Sequence, residues 1–149
     1  PGRYFEQLEV GMTFNHALGR TISEADHMLF CAITMNQQPL HINADFAAHS
    51  EYGQRLVNGL LTMSLVVGIS VADTTECTII ANLGYEKVRH PQPVFHGDTL
   101  YAETIIVAKR ESQSRPNAGI ITMSHIGRNQ HQIVVVEVTR SALFLKQPV

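Results

Sequence analysis

The sequence predicts an α+β domain in which one long apolar helix is covered by an antiparallel sheet. The longest apolar run, from Leu56 to Ala72, has the length of a helix and is interrupted only by small or uncharged polar residues. After this run the hydrophobic period changes to two, over four segments rich in Ile, Val and Thr, as is typical of strands. Because these segments follow one another with only turn-forming residues between them, we expect a meander long enough to wrap the helix.

Length and composition indicate one globular domain with no charged macromolecular partner. The chain has 149 residues, of which 44% are hydrophobic and 16% charged, so it can bury a core of its own. The formal net charge of -2 gives no reason to expect nucleic acid or an anionic membrane as a partner. The first residues lack a signal-peptide pattern, and the apolar run is too short and too interrupted to span a membrane. We therefore expect a cytoplasmic protein.

The two cysteines give the same indication of compartment. Cys31 and Cys77 lie in apolar periodic segments and have no CxxC spacing. We read both as core thiols of a reducing compartment rather than as a disulfide or a metal site.

The first third of the chain is predicted to contain a strand and a capped helix. A short strand is expected from Thr13 to Arg20. Ser23, followed three residues later by Asp26, forms a capping-box pattern at a helix start. Apolar residues at a spacing of 3.6 then extend this helix to about Met35.

A polar loop is expected between this helix and the apolar run. Pro39 disfavours helical geometry at the residue before it, so the first helix should end and a loop carrying His41 should follow. A short helix from Asn43 or Ala44 to about Ser50 comes next, and the central helix is predicted from about Leu56 to Val71.

The remaining residues are predicted to form strands. The four segments with a period of two run from Thr78 to His90, from Thr99 to Arg110, from Ala118 to Arg128 and from Gln132 to Phe144. Proline, glycine, aspartate and asparagine cluster in the breaks between them, which is typical of turns.

His41 is the first candidate for chemistry. A neutral imidazole can accept and return a proton near pH 7, which suits the addition or removal of water. The alternative is a structural histidine that satisfies backbone groups of its loop. Asn36, five residues earlier, can hold a water or a carbonyl by hydrogen bonds but cannot act as a base, and it equally suits a helix C-terminus.

Asn58 and Gly59 form a second polar set at the start of the central helix. The N–H of Gly59 could point at an oxyanion, because a helix N-terminus carries free amide groups and the positive end of the dipole. Capping by Asn58 and close backbone packing at Gly59 are the alternatives.

Three further residues are candidates for contacts with a ligand. Gly84 lies within a predicted strand, where glycine often marks a bulge or the close approach of a ligand. Arg89 and Arg115 are cations that could meet a phosphate, or could simply be solvated. The chain has eight histidines but no HxH or HExxH pattern, so no metal site is predicted.

Four stretches of the sequence resemble one family, the MaoC-like acyl-CoA dehydratases, which are (R)-specific enoyl-CoA hydratases. The stretches are Asn36-x-x-Pro39-Leu40-His41, Asp45-Phe46-Ala47, Val57-x-Gly59-Leu60, and Pro93-Val94-Phe95-His96-Gly97-Asp98-Thr99-Leu100. The resemblance implies a single hot-dog domain over residues 1–149, in which an antiparallel sheet wraps a long central helix and two copies form a homodimer. It also implies addition of water to, or its removal from, an enoyl thioester of coenzyme A, with coenzyme A as part of the substrate and no separate cofactor.

The resemblance carries site residues over only in part. His41 matches the family histidine, but Asn36 stands at the position of the family aspartate and Gln38 at that of the following asparagine. Asn58 replaces the histidine that precedes Gly59, and a serine of some members would fall on Val67, which is not carried over. Either His41 alone serves as base and then acid while Asn36 positions water, or the chain binds acyl-CoA without this reaction. We favour the first account, because Asn keeps the shape of Asp.

The implied substrate is a short enoyl-CoA, branched or dicarboxylic. The Gln-Gln-Pro-Leu-His and Ser-Arg-Pro-Asn-Ala-Gly runs look like the branch of the family that hydrates mesaconyl-, itaconyl- or methylmalyl-type C4–C5 acyl-CoA. His41, Asn36 and Gly59 are the predicted catalytic groups. The predicted substrate-binding residues are Gln38, Asn58, Gly84, Arg89 and Arg115.

Two other functions compete with hydration. A hot-dog thioesterase would need a carboxylate near the thioester carbon, for which Asp45 and Glu51 are the nearby acids, although Asp45 also suits the cap of its short helix. A non-catalytic acyl-CoA-binding subunit is favoured by the absence of the family aspartate at Asn36.

Overall fold

One antiparallel sheet and one central helix make up most of the computed structural model, which describes all 149 residues. The strands are β1 (Thr13–Asn15), β2 (Arg20–Thr21), β3 (Ile79–Arg89), β4 (Thr99–Glu111), β5 (Ala118–Arg128) and β6 (Val134–Leu145). Their order across the sheet is β1-β4-β5-β6-β3, with β2 paired to β4. The helices are α1 (Glu24–Ile33), α2 (Pro39–Ile42), α3 (Ala44–Ala48) and α4 (Gly59–Ser70), with 3-10 turns at Phe5–Gln7 and Val71–Asp73.

The α4 helix packs against the inner face of the sheet. Burial alternates along β5 so that every second side chain faces the helix, as a half-buried strand requires. Gly127 lies beneath α4, and a Cβ at this position would come within 2.5 Å of Val66 and 2.7 Å of Val136. Glycine is therefore needed for the helix to approach the sheet this closely. The core around it is formed by Ile22, Val57, Leu61, Val66, Ile69, Val94, Leu100, Ala102, Val135 and Val136.

The sequence predicted the strands closely and the start of α1 correctly. The Ser23 hydroxyl accepts the N–H of Asp26 at 3.0 Å, and the Asp26 carboxylate accepts the N–H of Ser23 at 2.9 Å, so the capping box is confirmed. The helix ends at Ile33, two residues early, because Met35 takes a φ of +58°, which cannot continue a helix. The strand predicted from Thr13 to Arg20 is interrupted where His16 turns into the interior.

The segment around His41 differs from the prediction. His41 lies in the one-turn helix α2 and not in a loop, because Pro39 occupies the first helical position, where a missing N–H costs nothing. Asn43, rather than Asp45, caps α3: its side-chain oxygen accepts the N–H of Phe46 at 3.0 Å. The central helix begins at Gly59, three residues later than expected, since Asn58 is its cap.

A row of polar groups crosses the inner face of the sheet. Arg140 donates its Nε–H to Nε2 of His125 at 2.8 Å, and Nδ1 of His125 lies 2.7 Å from the hydroxyl of Thr104. That hydroxyl lies 2.7 Å from Nε2 of His16, whose Nδ1 is 2.6 Å from the Asp73 carboxylate. Because the guanidinium can only donate and the carboxylate can only accept, the hydrogens run in one direction from Arg140 to Asp73. We call these five residues the sheet relay.

The outer strand β3 leaves an edge of the sheet open. Its side chains from residue 81 to residue 89 are exposed, including the apolar Leu83, Tyr85 and Val88. Both cysteines are free; Cys31 is buried as predicted, whereas the prediction of a core position for Cys77 is wrong, since it lies exposed in a turn. No helix combines the length and apolarity needed to cross a membrane.

Candidate active site

A cavity of about 370 Å³ opens at the N-terminus of α4. It lies where α2, the first turn of α4 and the segment between β3 and β4 meet. The isolated bridge between Leu56 and Phe95 and the bond from the N–H of Val57 to the carbonyl of Val94 hold these segments together. The lining residues are His41, Tyr52, Leu56, Val57, Gly59, Thr62, His90, Pro91, Gln92, Pro93, Val94 and Val135.

His41 is held in one tautomer at the wall of this cavity. Its Nδ1 lies 2.6 Å from the backbone carbonyl oxygen of Leu56. A carbonyl can only accept, so Nδ1 carries the hydrogen, and Nε2 keeps its lone pair. The N–H of Leu56 in turn donates to the carbonyl of Leu40 at 3.1 Å, which ties α2 to the segment before α4. The arrangement leaves Nε2 of His41 free to accept a proton from a ligand or a water.

Two more histidines support the site from behind. The N–H of Asn58 donates to Nε2 of His27 at 2.9 Å, so Nδ1 of His27 carries the hydrogen and donates to Nε2 of His96 at 2.6 Å. The ring of His27 is fully buried and meets the ring of His41 edge-on, with 5.6 Å between centroids. His27 therefore touches both the candidate base and the residue that caps α4.

The charge state of this pair follows from burial. Burial, followed in decreasing order by the neighbouring His96, His41 and Arg55, lowers the pKa of His27 to about 4. Burial and the Arg55 cation also lower the pKa of His96, while the Glu24 carboxylate acts in the opposite sense. Both imidazoles are thus neutral near pH 7, as the hydrogen bond from Asn58 to His27 requires.

Acidification is expected to destabilise the fold between pH 6.5 and about 4. Burial, with the cation of Arg140 and then His16, lowers the pKa of His125 to about 3, and His27 falls to about 4. In the unfolded chain both return toward their ordinary value of 6.5, so the unfolded chain binds more protons in this window. The free energy of unfolding therefore decreases as the pH falls, and urea unfolding at several pH values measures it. A free energy that is constant from pH 7 to 4.5 would contradict this expectation.

The first turn of α4 presents one free amide group. The N–H of Leu60 donates to the Asn58 side chain at 2.9 Å, and those of Leu61 and Thr62 donate to the Asn58 carbonyl at 3.0 and 3.2 Å. The N–H of Gly59 has no acceptor within the protein, as expected for the first residue of a helix. A Cβ on Gly59 would meet the ring of His90 at 2.9 Å, so only glycine lets that ring lie against the helix start.

The predicted site residues separate into two groups in the structure. His41 and Gly59 line the cavity, and Asn58 is buried behind it as the cap of α4. Asn36 and Gln38 do not line it; the Asn36 side-chain oxygen accepts the N–H of Gln38 at 3.2 Å in the turn that leads to α2.

The other predicted contacts lie farther away. Arg89 precedes the cavity residue His90 and lies 3.7 Å from the Glu137 carboxylate. Gly84 marks a bulge of β3 and borders a shallow groove on the outer face of the sheet, near Arg110. Arg115 lies in the turn between β4 and β5 and does not line the cavity.

Sequence reasoning missed His27, His96, His90 and Thr62. His96 lies within a stretch quoted for the family resemblance, and His90 precedes a Pro-Gln-Pro run, so both carried a visible signal. His27 and Cys31 are the buried residues of α1, and the sequence around His27 carries no motif that indicates a role in the site. Thr62 looked like an ordinary helix residue.

The chain is similar in sequence to proteins of a known family. The family model described as MaoC like domain matches residues 5–138. Mesaconyl-CoA hydratase of Cereibacter sphaeroides is 32% identical over 146 residues, which are 98% of this chain and 42% of that protein. Beta-methylmalyl-CoA dehydratase of Chloroflexus aurantiacus is 31% identical over 147 residues, 99% of this chain and 41% of that protein. The chain thus spans about two fifths of the length of these relatives.

A solved structure supports the architecture. A Mycobacterium tuberculosis protein described as having a double hotdog fold superposes with a TM-score of 0.88 at 26% identity, over 99% of this chain and 45% of that one. The hot-dog fold that the resemblance implied is confirmed, and with it the α+β class.

Proposed function

Because the chain belongs to the MaoC-like domain family, we propose that it hydrates a short enoyl-CoA to a 3-hydroxyacyl-CoA, or catalyses the reverse dehydration. The observation that carries the proposal is the pairing of two groups at one cavity. Nε2 of His41 keeps a free lone pair, and the N–H of Gly59 is the free amide at the start of α4. The first group suits proton transfer and the second suits an oxyanion.

The proposed reaction uses these groups in turn. Nε2 of His41 takes a proton from a water whose oxygen bonds to C3 of the enoyl group, and the π electrons of the double bond move toward the thioester oxygen. The N–H of Gly59 donates to that oxygen as negative charge develops. The resulting imidazolium then returns its proton to C2, so that H and OH have added and the imidazole is neutral again. No cofactor is assigned, since coenzyme A belongs to the substrate.

Asn36 does not line the cavity, but its side-chain nitrogen has no partner within the protein, and we propose that this group orients the water. Replacement of Asn36 by aspartate tests this role. Asn36→Asp keeps an oxygen that can accept the N–H of Gln38 and adds a carboxylate of the family type. We expect its rate with crotonyl-CoA to equal or exceed the wild-type rate in an absorbance assay. A complete loss of activity would contradict a role limited to orienting water and would give the amide nitrogen a function of its own.

The proposed substrate is a C4–C5 acyl-CoA, and the names of the two relatives support this choice. Arg89 is the nearest of the predicted cations to the cavity and is the proposed contact for a phosphate of coenzyme A. Gln38, Gly84 and Arg115 remain predictions for substrate contacts.

A homodimer is proposed as the working form. The open edge of β3 exposes Leu83, Tyr85 and Val88, and a second copy could continue the sheet there. The unpaired thiols of Cys31 and Cys77 support our placement of the protein in the cytoplasm.

Loss of the enoyl-thioester absorbance tests the proposed function. Purified protein is incubated with crotonyl-, mesaconyl- and itaconyl-CoA, and free thiol is assayed in the same samples. Loss of the band without thiol release is the expected result, and the fastest ester defines the acyl group. Thiol release would instead support a thioesterase, although neither Asp45 nor Glu51 lines the cavity.

Binding without turnover is the second candidate function. It is favoured by one observation, the amide of Asn36 in place of the family carboxylate. Tight binding of all three esters by a protein that leaves their absorbance unchanged would establish it.

A further inference from the structure

Thr62 carries a buried hydroxyl with no partner. The residue is 1% exposed, its Oγ1 has no hydrogen-bond partner, and it lines the cavity at the start of α4. Unpartnered buried polar groups are rare because they lose their hydration without compensation, so each one calls for an explanation.

Two buried hydroxyls near the other end of α4 find backbone acceptors. Ser70 donates to the carbonyl of Val67 at 2.6 Å, and Thr74 donates to the carbonyl of Ser70 at 2.6 Å. The equivalent acceptors for Thr62 are the carbonyls of Gly59, three residues earlier, and Asn58, four residues earlier. The Asn58 carbonyl already accepts the N–H groups of Leu61 and Thr62. The Thr62 hydroxyl bonds to neither carbonyl, so it is free to donate to a ligand.

The hydroxyl shares its side of the helix with the free amide. Gly59 and Thr62 are three residues apart, so they lie one above the other on α4, and both line the cavity. A ligand oxygen in this position could accept from the N–H of Gly59 and the O–H of Thr62 together. Both donors lie in the first turn, where the helix dipole favours negative charge.

We propose that Thr62 is a catalytic residue whose hydroxyl donates, together with the N–H of Gly59, to the thioester oxygen of the substrate. The inference rests on the proposed hydration and adds a second donor to it. As the π electrons move toward the thioester oxygen, the hydrogen bond from Thr62 strengthens and no proton leaves the hydroxyl. The contribution therefore belongs to the transition state more than to the bound substrate.

Thr62→Val tests the inference because it removes the hydroxyl and keeps the shape. Loss of one oxyanion donor is expected to lower kcat by about 10²-fold, with little change in KM. The variant should be at least as stable to urea as the wild type, since it removes an unpartnered polar atom. Thr62→Ser keeps the hydroxyl and should retain most of the rate. Thr74→Val, the matched control, removes a hydroxyl that has a partner and should lose stability but keep kcat.

An isotope-edited infrared spectrum of bound crotonyl-CoA separates this inference from the proposed function. The thioester carbonyl band should shift to lower frequency on the wild-type protein and shift less on Thr62→Val, whether or not turnover occurs. An active wild type with an equally active Thr62→Val variant would overturn the inference alone, as would equal carbonyl shifts. A wild-type protein that neither hydrates nor binds crotonyl-, mesaconyl- or itaconyl-CoA would overturn the inference and the proposed function together.

Discussion

Replacement of His41 with alanine is expected to lower the hydration rate of crotonyl-CoA by about 10³-fold, in the middle of the range for loss of a general acid–base group. Under the proposed reaction His41 both accepts the proton of water and returns it to C2, so no step proceeds normally without it. Asn36 cannot replace it as a base. Nε2 of the buried His27 already accepts the N–H of Asn58, so it is not free to take a proton from water. The cavity holds one other imidazole, that of His90.

The variant is expected to remain folded. The side chain of His41 is half-buried and contributes one hydrogen bond, to the carbonyl of Leu56, whose net value is about 1 kcal/mol. A thermal melt therefore separates loss of chemistry from loss of structure. His90→Ala determines whether the second imidazole of the cavity shares the proton transfer.

His49→Ala is the matched control. His49 directly follows the neighbouring helix α3 as its C-cap and is exposed. It makes the same kind of bond from Nδ1 to a backbone carbonyl, that of Asp45, at 2.8 Å. It lies outside the cavity, so its loss should leave the rate within twofold of the wild type. A folded His41→Ala variant with the wild-type rate would remove His41 from the mechanism.

The sequence predicted those parts of the structure that depend on neighbours along the chain. The capping box at Ser23 joins residues three apart, and the strands could be recognised by their period of two. His41 was found because it stands in a short pattern with Asn36 and Pro39.

The contacts of His27 behind the site could not be predicted from neighbours along the chain. The contact of His27 with His96 joins residues 69 apart, and the bond from Asn58 to His27 joins residues 31 apart. Such pairs exist only once α1 has packed beside the start of α4. The unpartnered hydroxyl of Thr62 is harder still to foresee, because it depends on the exact geometry of the first turn of α4.

The sheet relay also could not be predicted from the sequence. Removal of its central hydroxyl is expected to destabilise the fold by about 2–6 kcal/mol. Thr104→Val removes the hydroxyl that joins His16 to His125 and keeps the volume of the side chain. Nε2 of His16 then lacks a donor and the Nδ1 hydrogen of His125 lacks an acceptor, and all three residues are buried. Each unsatisfied buried group costs about 1–3 kcal/mol.

Thr122→Val provides the control on the opposite face of the same sheet. The hydroxyl of Thr122 pairs with that of Ser141 at 2.8 Å, and both residues are only half-buried. Water can replace the lost partner there, so the expected cost is below about 1 kcal/mol. Both variants change threonine to valine within a strand, so β propensity cancels between them and urea unfolding reports the difference in burial.

The rate of the Thr104→Val variant tests whether the sheet relay affects catalysis at the cavity. No member of the sheet relay lines the cavity, so its kcat should stay at the wild-type value below the temperature at which it unfolds. Equal stabilities of Thr104→Val and Thr122→Val would show that the relay stabilises the fold no more than the half-buried pair of Thr122 and Ser141 does. A large fall in kcat in a fully folded variant would instead indicate that the relay is coupled to the free amide of Gly59. The link would be α4, because Asp73 lies in the 3-10 turn that follows its C-terminal end.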